Sequence, residues 1–282
     1  MTTDSQQNKA ETFRQLHIDG VLVLPNAWDA LSAALVADAG AKAVATTSAA
    51  VSWVAGRGDG QKLTREEMIA RVREIAAAVT VPVTADVEGG YGPTPADIAA
   101  TVEAVIDAGA VGVNLEDSHR PGGPLFDIAE QSERLRAGRA AAARAGLPQL
   151  VINARTDVYL FGIGAPEGRF DEVVARATAY AEAGADSLFV PGLLDLDTLS
   201  ELSRKTSLPI NVMTGAGAPQ VSELAAAGVR RVSLGPALAQ AAYARVRASA
   251  TELLTKGTYT ELADGLDFGA IESLFARKEK QS

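Results

Sequence analysis

The sequence predicts a single (β/α)₈ barrel, and three observations indicate this fold class. From residue 21 onward, the chain repeats one unit: a short β-rich run, a break, and an Ala-rich amphipathic stretch often closed by Ala-Gly-Ala. The chain holds eight such units, and its length of 282 residues is typical of this barrel. A doubly wound sheet would also alternate strands and helices, but eight regular units without a second type of composition favour a closed sheet.

The strands are predicted from short runs of β-forming residues that end at Gly, Asn, Asp or Pro. The third of them begins at residue 83 and breaks at Gly89. In chain order, the other seven cover about residues 21–25, 43–47, 111–115, 150–153, 187–190, 210–213 and 231–234.

The helices are predicted where capping residues precede amphipathic stretches. Thr64 and Glu67 have the spacing of a capping box and follow a long Gly-containing loop over residues 54–61. Thr94 is the expected cap of a helix that starts at Pro95. Other helices are expected to start near Asp29, to end at Gly146 and to cover about residues 170–183.

The chain ends in a long helical pattern over about residues 237–254 and a further helical piece near residues 260–276. We therefore predict one barrel domain over residues 1–282, with residues 237–276 as its terminal helical region.

Composition excludes several classes of function. The 47% hydrophobic content can build a large core, and the net charge of −9 argues against a surface for nucleic acid or anionic membranes. With no cysteine, the chain has no disulfide, thiolate metal site or thiol nucleophile. No apolar leader and no run of about 18 apolar residues is found, so we expect a soluble, cytoplasmic protein.

The third predicted strand carries two acidic residues at a spacing of two, Asp86 and Glu88. On a strand this spacing places both carboxylates on one face. Because two like charges side by side are costly unless a cation or proton lies between them, the pair indicates a divalent metal. The alternative is a solvated acidic loop after an edge strand.

In such a barrel, the carboxyl ends of the strands form the active-site mouth. Polar residues expected there are Asn26, Ser48, Asp59, Asp86, Glu88, Glu116, Arg155 and Asn211. A hard cation such as Mg²⁺ would relieve the repulsion between the four carboxylates, and Arg155 would offer donors to a carboxylate or phosphonate.

Each of these assignments has an alternative. Ser48 could cap a turn, Asp59 could lie in an exposed turn, and Arg155 could pair with Glu116 or Asp157. Glu116 and Asp117 cannot both face the mouth, and the phase of the strand favours Glu116.

Other residues are harder to place from the sequence. His17 and His119 are expected in solvent or loops, although His119 could approach a substrate. The Gly-rich loops after the last two strands lie where such barrels often bind phosphate, which leaves a phosphosugar-handling barrel as an alternative.

These motifs resemble the isocitrate lyase/phosphoenolpyruvate mutase superfamily. The resemblance is carried by Leu24-Pro-Asn-Ala-Trp-Asp-Ala-Leu-Ser-Ala33, Thr47-Ser-Ala49, Ala85-Asp-Val-Glu-Gly-Gly-Tyr-Gly92, Gly112-Val-Asn-Leu-Glu-Asp117 and Asn153-Ala-Arg-Thr-Asp157. It implies a barrel whose last helix is exchanged between paired subunits, usually in a tetramer made of two such pairs.

The resemblance also implies a bound Mg²⁺, for which Mn²⁺ could substitute. Asp86 would be the direct ligand, and three further carboxylates would hold metal-bound waters: Asp59, Glu88 and Glu116. Ser48 and the amide of Ala49 would bind the substrate carboxylate, and Arg155 would contact its enolate or carboxylate oxygens. Asn211, at the end of the seventh strand, is a further candidate for substrate binding.

The chain departs from the family in its reaction-specific parts. The segment Ser118-His-Arg-Pro-Gly-Gly-Pro124 replaces both the Lys-Cys-Gly-His loop of the isocitrate lyases and the gating segment of the phosphonate enzymes. Val190-Pro-Gly192 stands where a family histidine is expected. We therefore expect a Mg²⁺-dependent C–C lyase of a small 2-oxo acid, such as an oxaloacetate-type decarboxylase. P–C bond chemistry on phosphonopyruvate and non-catalytic binding of 2-oxo acids are the alternatives.

Overall fold

A computed structural model describes residues 3–279, so the ends of the predicted domain 1–282 lie outside the described residues. All strands are parallel and belong to one sheet. They are β1 (Leu22–Leu24), β2 (Asn26–Ala27), β3 (Val44–Thr46), β4 (Val83–Asp86), β5 (Gly112–Glu116), β6 (Val151–Arg155), β7 (Ser187–Phe189), β8 (Ile210–Met213) and β9 (Val229–Ser233).

The sheet closes on itself. Its two ends in the strand order are β1 and β2, which follow each other in the chain and are separated by Pro25. Because proline has no N–H to donate, it interrupts what is in effect one first strand. Eight strands therefore form a closed parallel barrel, which confirms the predicted fold class.

Helices surround the barrel. They are α1 (Asp4–Gln15), α2 (Ala30–Asp38), α3 (Ser48–Val54), α4 (Arg65–Ala78), α5 (Pro95–Asp107), α6 (Ile128–Arg144), α7 (Arg169–Glu182), α8 (Leu196–Lys205), α9 (Val221–Ala226), α10 (Ala237–Lys256) and α11 (Phe268–Glu279). No helix among residues 3–279 is both long enough and apolar enough to cross a lipid bilayer.

Side-chain caps define the starts of several helices. Thr64 accepts a hydrogen bond from the N–H of Glu67, and the Glu67 carboxylate accepts one from the N–H of Thr64. Thr94 caps α5 in the same way, with Pro95 in the first turn. Both predicted caps are confirmed, because these short side chains pair with amides that the first helical turn leaves without partners.

Two helices were not expected from the sequence. α1 precedes the first strand, and its Phe13 is fully buried. α3 begins at Ser48, two residues after the end of β3, and lies between the predicted second strand and the predicted loop over residues 54–61. It is only seven residues long and five of them are buried, so packing against the barrel stabilises it.

The barrel interior contains a buried polar cluster formed by His17 and Arg231, which lie against Phe13 and Asn114. The His17 ring donates from Nδ1 to the Phe13 carbonyl at 2.7 Å, and Arg231 Nη1 lies 3.3 Å from His17 Nε2. Arg231 Nη2 also donates to Asn114 Oδ1 at 3.1 Å. His17 lies in the turn that follows α1, which agrees with a loop position, but it is only 6% exposed, so the expectation that it lies in solvent was wrong.

Burial, followed by the charge of Arg231, lowers the pKa of His17 from 6.5 to about 3. The unfolded chain therefore binds a proton that the folded chain excludes, and stability falls as the pH drops below 6.5 towards 3. Between about pH 7.5 and about pH 5, we expect the wild type to lose roughly 2 kcal/mol more unfolding free energy than His17→Asn. Urea denaturation at each pH measures this difference.

His119→Asn is the matched control, because it removes the other histidine, whose ring is exposed. This variant should keep the pH dependence of the wild type. If the unfolding free energies of the wild type and His17→Asn changed equally with pH, His17 would not be held neutral in the folded barrel.

Candidate active site

The carboxyl ends of the strands open onto one cavity of about 310 Å³. Eight of the predicted site residues line it: Asn26, Ser48, Ala49, Asp59, Asp86, Glu88, Glu116 and Arg155. The structure thus brings acidic groups, one guanidinium and the first turn of α3 to a single concave site.

Asp86 is the last residue of β4; a residue of β3 holds its backbone, and the first residue of α3 holds its carboxylate. The backbone N–H of Asp86 donates to Thr46 Oγ1 at 2.8 Å. Its Oδ2 accepts from the N–H of Ser48 at 3.1 Å. The side chain is 8% exposed, so the carboxylate is fixed at the cavity wall.

Glu88 lies beyond the strand, which ends at Asp86. The expectation that a strand places both carboxylates on one face was wrong for this residue, since Glu88 has a positive φ of 52°. Its side chain still reaches the cavity, where Oε2 accepts from the N–H of Gln61 and Oε1 accepts from the Tyr91 hydroxyl at 3.3 Å. Burial, with the charges of Asp59 and Asp86, raises the pKa of Glu88 to about 7.

The backbone around Glu88 is strained. The three non-glycine residues with positive φ among residues 3–279 are Gln61, Glu88 and Tyr91, and all three meet at this corner. Gln61 Oε1 accepts from the N–H of Tyr91 at 2.9 Å, which ties the two segments together. Such conformations cost about 1–3 kcal/mol each and persist where the surroundings enforce them, often at functional sites.

Asp59 reaches the cavity from the loop between α3 and α4. Desolvation at the cavity wall and then the charge of Asp86 raise its pKa above the usual value, although hydrogen bonds from Gly60 and Ser48 oppose this shift. The charge of Asp86 therefore disfavours the charged forms of both Asp59 and Glu88.

Arg155 is held between two carboxylates at the end of β6. Its Nη1 lies 3.1 Å from Glu116 Oε2, and its Nε donates to Asp157 Oδ1 at 2.6 Å. Burial lowers the pKa of Arg155, but Glu116 and Asp157 more than offset it, so the pKa lies above its usual value and the group stays charged. Burial raises the pKa of Glu116, and Arg155 opposes that shift. Arg155 thus pairs with both carboxylates that the sequence offered as structural partners, and its side chain also lines the cavity.

Glu116 and Asp117 point to opposite sides of β5. Glu116 lines the cavity, whereas Asp117 Oδ2 accepts from the Tyr180 hydroxyl at 2.8 Å and pairs with Arg176 at 3.1 Å. Asp117 Oδ1 also accepts from the N–H of Asp157 at 3.0 Å. Asp117 thus anchors the segment that carries Asp157, while Glu116 faces the site.

The structure does not bring Asn211 to the cavity. Asn211 is fully buried inside the barrel, where its Oδ1 accepts from Asn153 Nδ2 at 2.9 Å. Its Nδ2 donates to the Val212 carbonyl at 2.8 Å. The residue lies one layer below the mouth because the strand continues to Met213, and we therefore drop it as a substrate contact.

The segment over residues 118–125 forms a short hairpin beside the mouth. Ser118 and Leu125 form an isolated antiparallel bridge, and Ser118 Oγ donates to Asp157 Oδ2 at 2.7 Å. His119 stacks on Phe126 with ring centroids 3.6 Å apart and lines a neighbouring cleft instead of the cavity. The hairpin's own contribution to the cavity is Pro121.

Sequence reasoning missed the apolar residues that line the cavity. They are Pro121, Leu160, Phe161, Phe189, Met213 and Pro236. Phe189 and Met213 are the last residues of β7 and β8, so their strand-end positions could have identified them. In the sequence, an apolar residue at a strand end looks the same as an ordinary core residue.

The donor set suits a hard cation. Three of the four cavity carboxylates have raised pKa values, chiefly because burial disfavours their charged forms, and neighbouring carboxylates add to the shift. Among residues 3–279, no three Asp, Glu or His side chains are grouped closely enough to chelate an ion directly. Mg²⁺ usually keeps several waters and needs only one or two carboxylates, so these residues fit that ion.

Comparison with known proteins gives one consistent picture. Residues 13–254 match the family model described as phosphoenolpyruvate phosphomutase. An uncharacterised protein of Mycobacterium tuberculosis is 36% identical over 225 residues, which cover 79% of this chain and 81% of the relative. An oxaloacetate decarboxylase of a Bradyrhizobium species is 32% identical over 210 residues, with 73% and 69% covered.

Solved structures agree with these matches. A Burkholderia cenocepacia structure of the lyase/mutase type superposes with a TM-score of 0.90 and 38% identity, and the match covers 97% of this chain and 98% of the other. The relatives with named activities include lyases and mutases.

Proposed function

Because this chain belongs to the isocitrate lyase/phosphoenolpyruvate mutase superfamily, we propose that it is a Mg²⁺-dependent lyase of a small 2-oxo acid that cleaves a C–C bond, as in oxaloacetate-type decarboxylation. One observation carries the proposal: Asp86, Glu88 and Glu116 meet Arg155 in one cavity, and the chain has no cysteine. Decarboxylation suits such a site, since it needs no protein nucleophile.

Asp86 would bind the cation directly, while Asp59, Glu88 and Glu116 would hold its waters. When bound, the cation would supply Lewis-acid polarisation of the 2-oxo group and so favour an enolate. Mn²⁺ could take its place. This assignment is supported by the four carboxylates around one cavity and by the raised pKa values of three of them.

The chain's own residues would position the substrate. The Ser48 hydroxyl and the Ala49 amide would bind its carboxylate from the first turn of α3. Arg155 would donate to the oxygen that becomes negative as the bond breaks, because Glu116 and Asp157 fix its guanidinium in the cavity wall. The bond between C3 and the departing carboxylate would break, carbon dioxide would leave, and the enolate would take a proton from water at C3.

A screen of 2-oxo dicarboxylates tests this proposal. Purified full-length protein with Mg²⁺ should convert at least one of them, as read by mass spectrometry, and a chelator should abolish the conversion. Free Mg²⁺ promotes the decarboxylation of oxaloacetate on its own, so blanks with metal but without enzyme are subtracted. No enzyme-dependent turnover across the panel would refute the proposal.

P–C bond chemistry on phosphonopyruvate is the second candidate, favoured by the match to the phosphoenolpyruvate phosphomutase model. Phosphorus NMR of phosphonopyruvate incubated with enzyme and Mg²⁺ decides between the two. Calorimetric binding of 2-oxo acids without any product would instead indicate a binding protein.

We further propose that the chain forms helix-exchanged dimers, which pair into tetramers. The C-terminal region presents many exposed apolar side chains: Tyr243, Val246, Leu253, Leu254, Tyr259, Leu262, Leu266, Phe268 and Phe275. A groove of about 650 Å³ between β1, α2 and the start of α10 is lined largely by apolar residues. Apolar surface of this extent marks an interface, and a partner's terminal helices would cover it.

A double substitution of exposed residues on α10 should disrupt this assembly. Val246 and Leu254 are 66% and 85% exposed, so Val246→Glu with Leu254→Glu should leave the barrel folded but shift the protein to monomer. Light scattering after gel filtration gives the mass, and circular dichroism reports the fold. Val221→Glu on α9, 40% exposed, is the control and should keep the oligomer. A wild-type monomer, or an unchanged mass for the double variant, would contradict the proposal.

A further inference from the structure

The cavity has a charged side and an apolar side. Asp86 of β4, Glu116 of β5 and Arg155 of β6 end neighbouring strands on the charged side, and Arg155 is the only Lys or Arg among the described residues that line the cavity. Phe189 and Met213 end the next two strands, β7 and β8. With four residues of the loops they form the apolar side, called here the apolar wall: Pro121, Leu160, Phe161, Phe189, Met213 and Pro236. The remaining lining includes four uncharged polar residues: Asn26, Thr47, Asn114 and Ser233. A substrate group that points away from the carboxylates towards β7 and β8 would contact the apolar wall.

The one guanidinium in the cavity pairs with two carboxylates, and the proposed function assigns it to the reacting oxygen. Arg155 pairs through Nη1 with Glu116 and through Nε with Asp157, and its Cζ lies 5.8 Å from the centre of the Phe189 ring. An anionic group added to the two carboxylates of a 2-oxo dicarboxylate, and directed at the apolar wall, would therefore meet apolar side chains without a cation of its own. Burying an unpaired charge in this way is strongly unfavourable, so the wall selects against it.

The apolar wall is packed against glycines. A Cβ on Gly235 would lie 2.5 Å from Met213 Sδ, and a Cβ on Gly60 would lie 2.8 Å from Pro121 Cγ. Gly235 lies in the loop after β9, one of the two loops that the sequence suggested for phosphate binding. Met213 occupies the space beside this glycine. Phe189 is 5% exposed, whereas Phe161 at the mouth is 38% exposed and has apolar surface left to cover.

From this geometry we propose that the substrate carries an uncharged alkyl group on C3, the carbon next to the 2-oxo group, and that the apolar wall holds it. The inference rests on the proposed function and narrows it to C3-alkylated 2-oxo acids. The departing carboxylate leaves as carbon dioxide as before, and the product is a 2-oxo acid lengthened by the alkyl group. Phe161 and Met213 then decide which substrates fit.

Calorimetry on the full chain with Mg²⁺ tests this through binding alone. The probes are product-like 2-oxo acids: pyruvate, 2-oxobutanoate, 2-oxopentanoate and, as a charged counterpart, 2-oxoglutarate. Affinity should rise about fourfold for each added methylene, and 2-oxoglutarate should bind at least about tenfold more weakly than 2-oxopentanoate.

Phe161→Arg should reverse this preference, because the Phe161 side chain is partly exposed and the site tolerates a longer polar replacement. The variant should bind 2-oxoglutarate about tenfold more tightly than the wild type does, and its affinity should rise less with each added methylene. Val221 is similarly exposed but lies on α9, so Val221→Arg should leave the affinities for all four probes unchanged.

The outcomes separate the two proposals. Mg²⁺-dependent binding of pyruvate without any gain along the alkyl series, or with 2-oxoglutarate as the tightest probe, would overturn the substrate class and leave the lyase proposal standing. If no 2-oxo acid binds and the dicarboxylate panel is not turned over, both fail.

Discussion

Replacing Asp86 by Asn is expected to abolish metal-dependent turnover. Loss of a residue that hydrogen-bonds to a metal ligand typically lowers metal affinity or activity by about 10–100-fold. Loss of the direct ligand should therefore lower activity by at least about 10²-fold. The fold should survive, because an amide oxygen can still accept from the N–H of Ser48. Removing this charge should also lower the pKa values of Asp59 and Glu88, since Asp86 contributes to raising both.

Turnover, Mg²⁺ binding by calorimetry and thermal stability are measured on the same preparation. Asp107→Asn is the matched control, because Asp107 is an exposed acid at the end of α5, away from the cavity. It should behave as the wild type in all three measurements. If Asp86→Asn kept Mg²⁺-dependent activity within about threefold of the wild type, the ion would have to bind elsewhere.

Arg155→Lys is the second substitution with a large expected effect. Lysine keeps the positive charge but lacks the planar fork that contacts Glu116 and Asp157 together. A lysine ammonium that pairs with either carboxylate no longer presents a fixed donor to the reacting oxygen. Loss of one preorganised donor commonly lowers kcat by about 10²–10³-fold, and we expect a decrease in that range.

Steady-state kinetics with the best substrate of the panel measures the effect, and denaturation measures stability. Arg139→Lys is a suitable control, because Arg139 also pairs with an aspartate, Asp186, but lies outside the cavity. Should both variants lose activity to the same extent, the loss would reflect general destabilisation. A selective loss in Arg155→Lys identifies its role in the reaction.

The barrel could be predicted from the sequence because each unit repeats the same local signals. Thr64 with Glu67 and Thr94 with Pro95 mark helix starts through contacts within one turn, so they are visible in a short window. α3 could not be found in this way. Its N-cap residue, Thr47, makes no side-chain capping hydrogen bond, and the helix depends on burial against the barrel.

The candidate site was predicted in its chemistry more than in its geometry. Strand ends placed Asp86, Glu116 and Arg155 at the mouth, because all strands of a parallel barrel end at the same face. Glu88 reaches the same cavity by a different route, through a left-handed turn instead of a strand face. Spacing alone cannot distinguish the two, since both bring the carboxylate to the strand end.

Long-range burial explains the remaining errors. Asn211 lies one residue pair below the mouth, and His17 is enclosed by Arg231 and Phe13 from distant parts of the chain. Neither environment has a local signal in the sequence. The apolar wall was overlooked for a related reason, because an apolar residue at a strand end resembles an ordinary core residue until the cavity is seen.

The most direct test of the central claim is the position of the solvent proton in the product. In deuterium oxide with Mg²⁺, the wild-type enzyme should convert a 2-oxo dicarboxylate to carbon dioxide and a 2-oxo acid with one deuterium at C3, above the enzyme-free blank, as read by proton NMR and mass spectrometry. This result is predicted because the enolate must be protonated by solvent. Absence of enzyme-dependent product, or turnover of phosphonopyruvate alone, would contradict a C–C lyase that proceeds through an enolate.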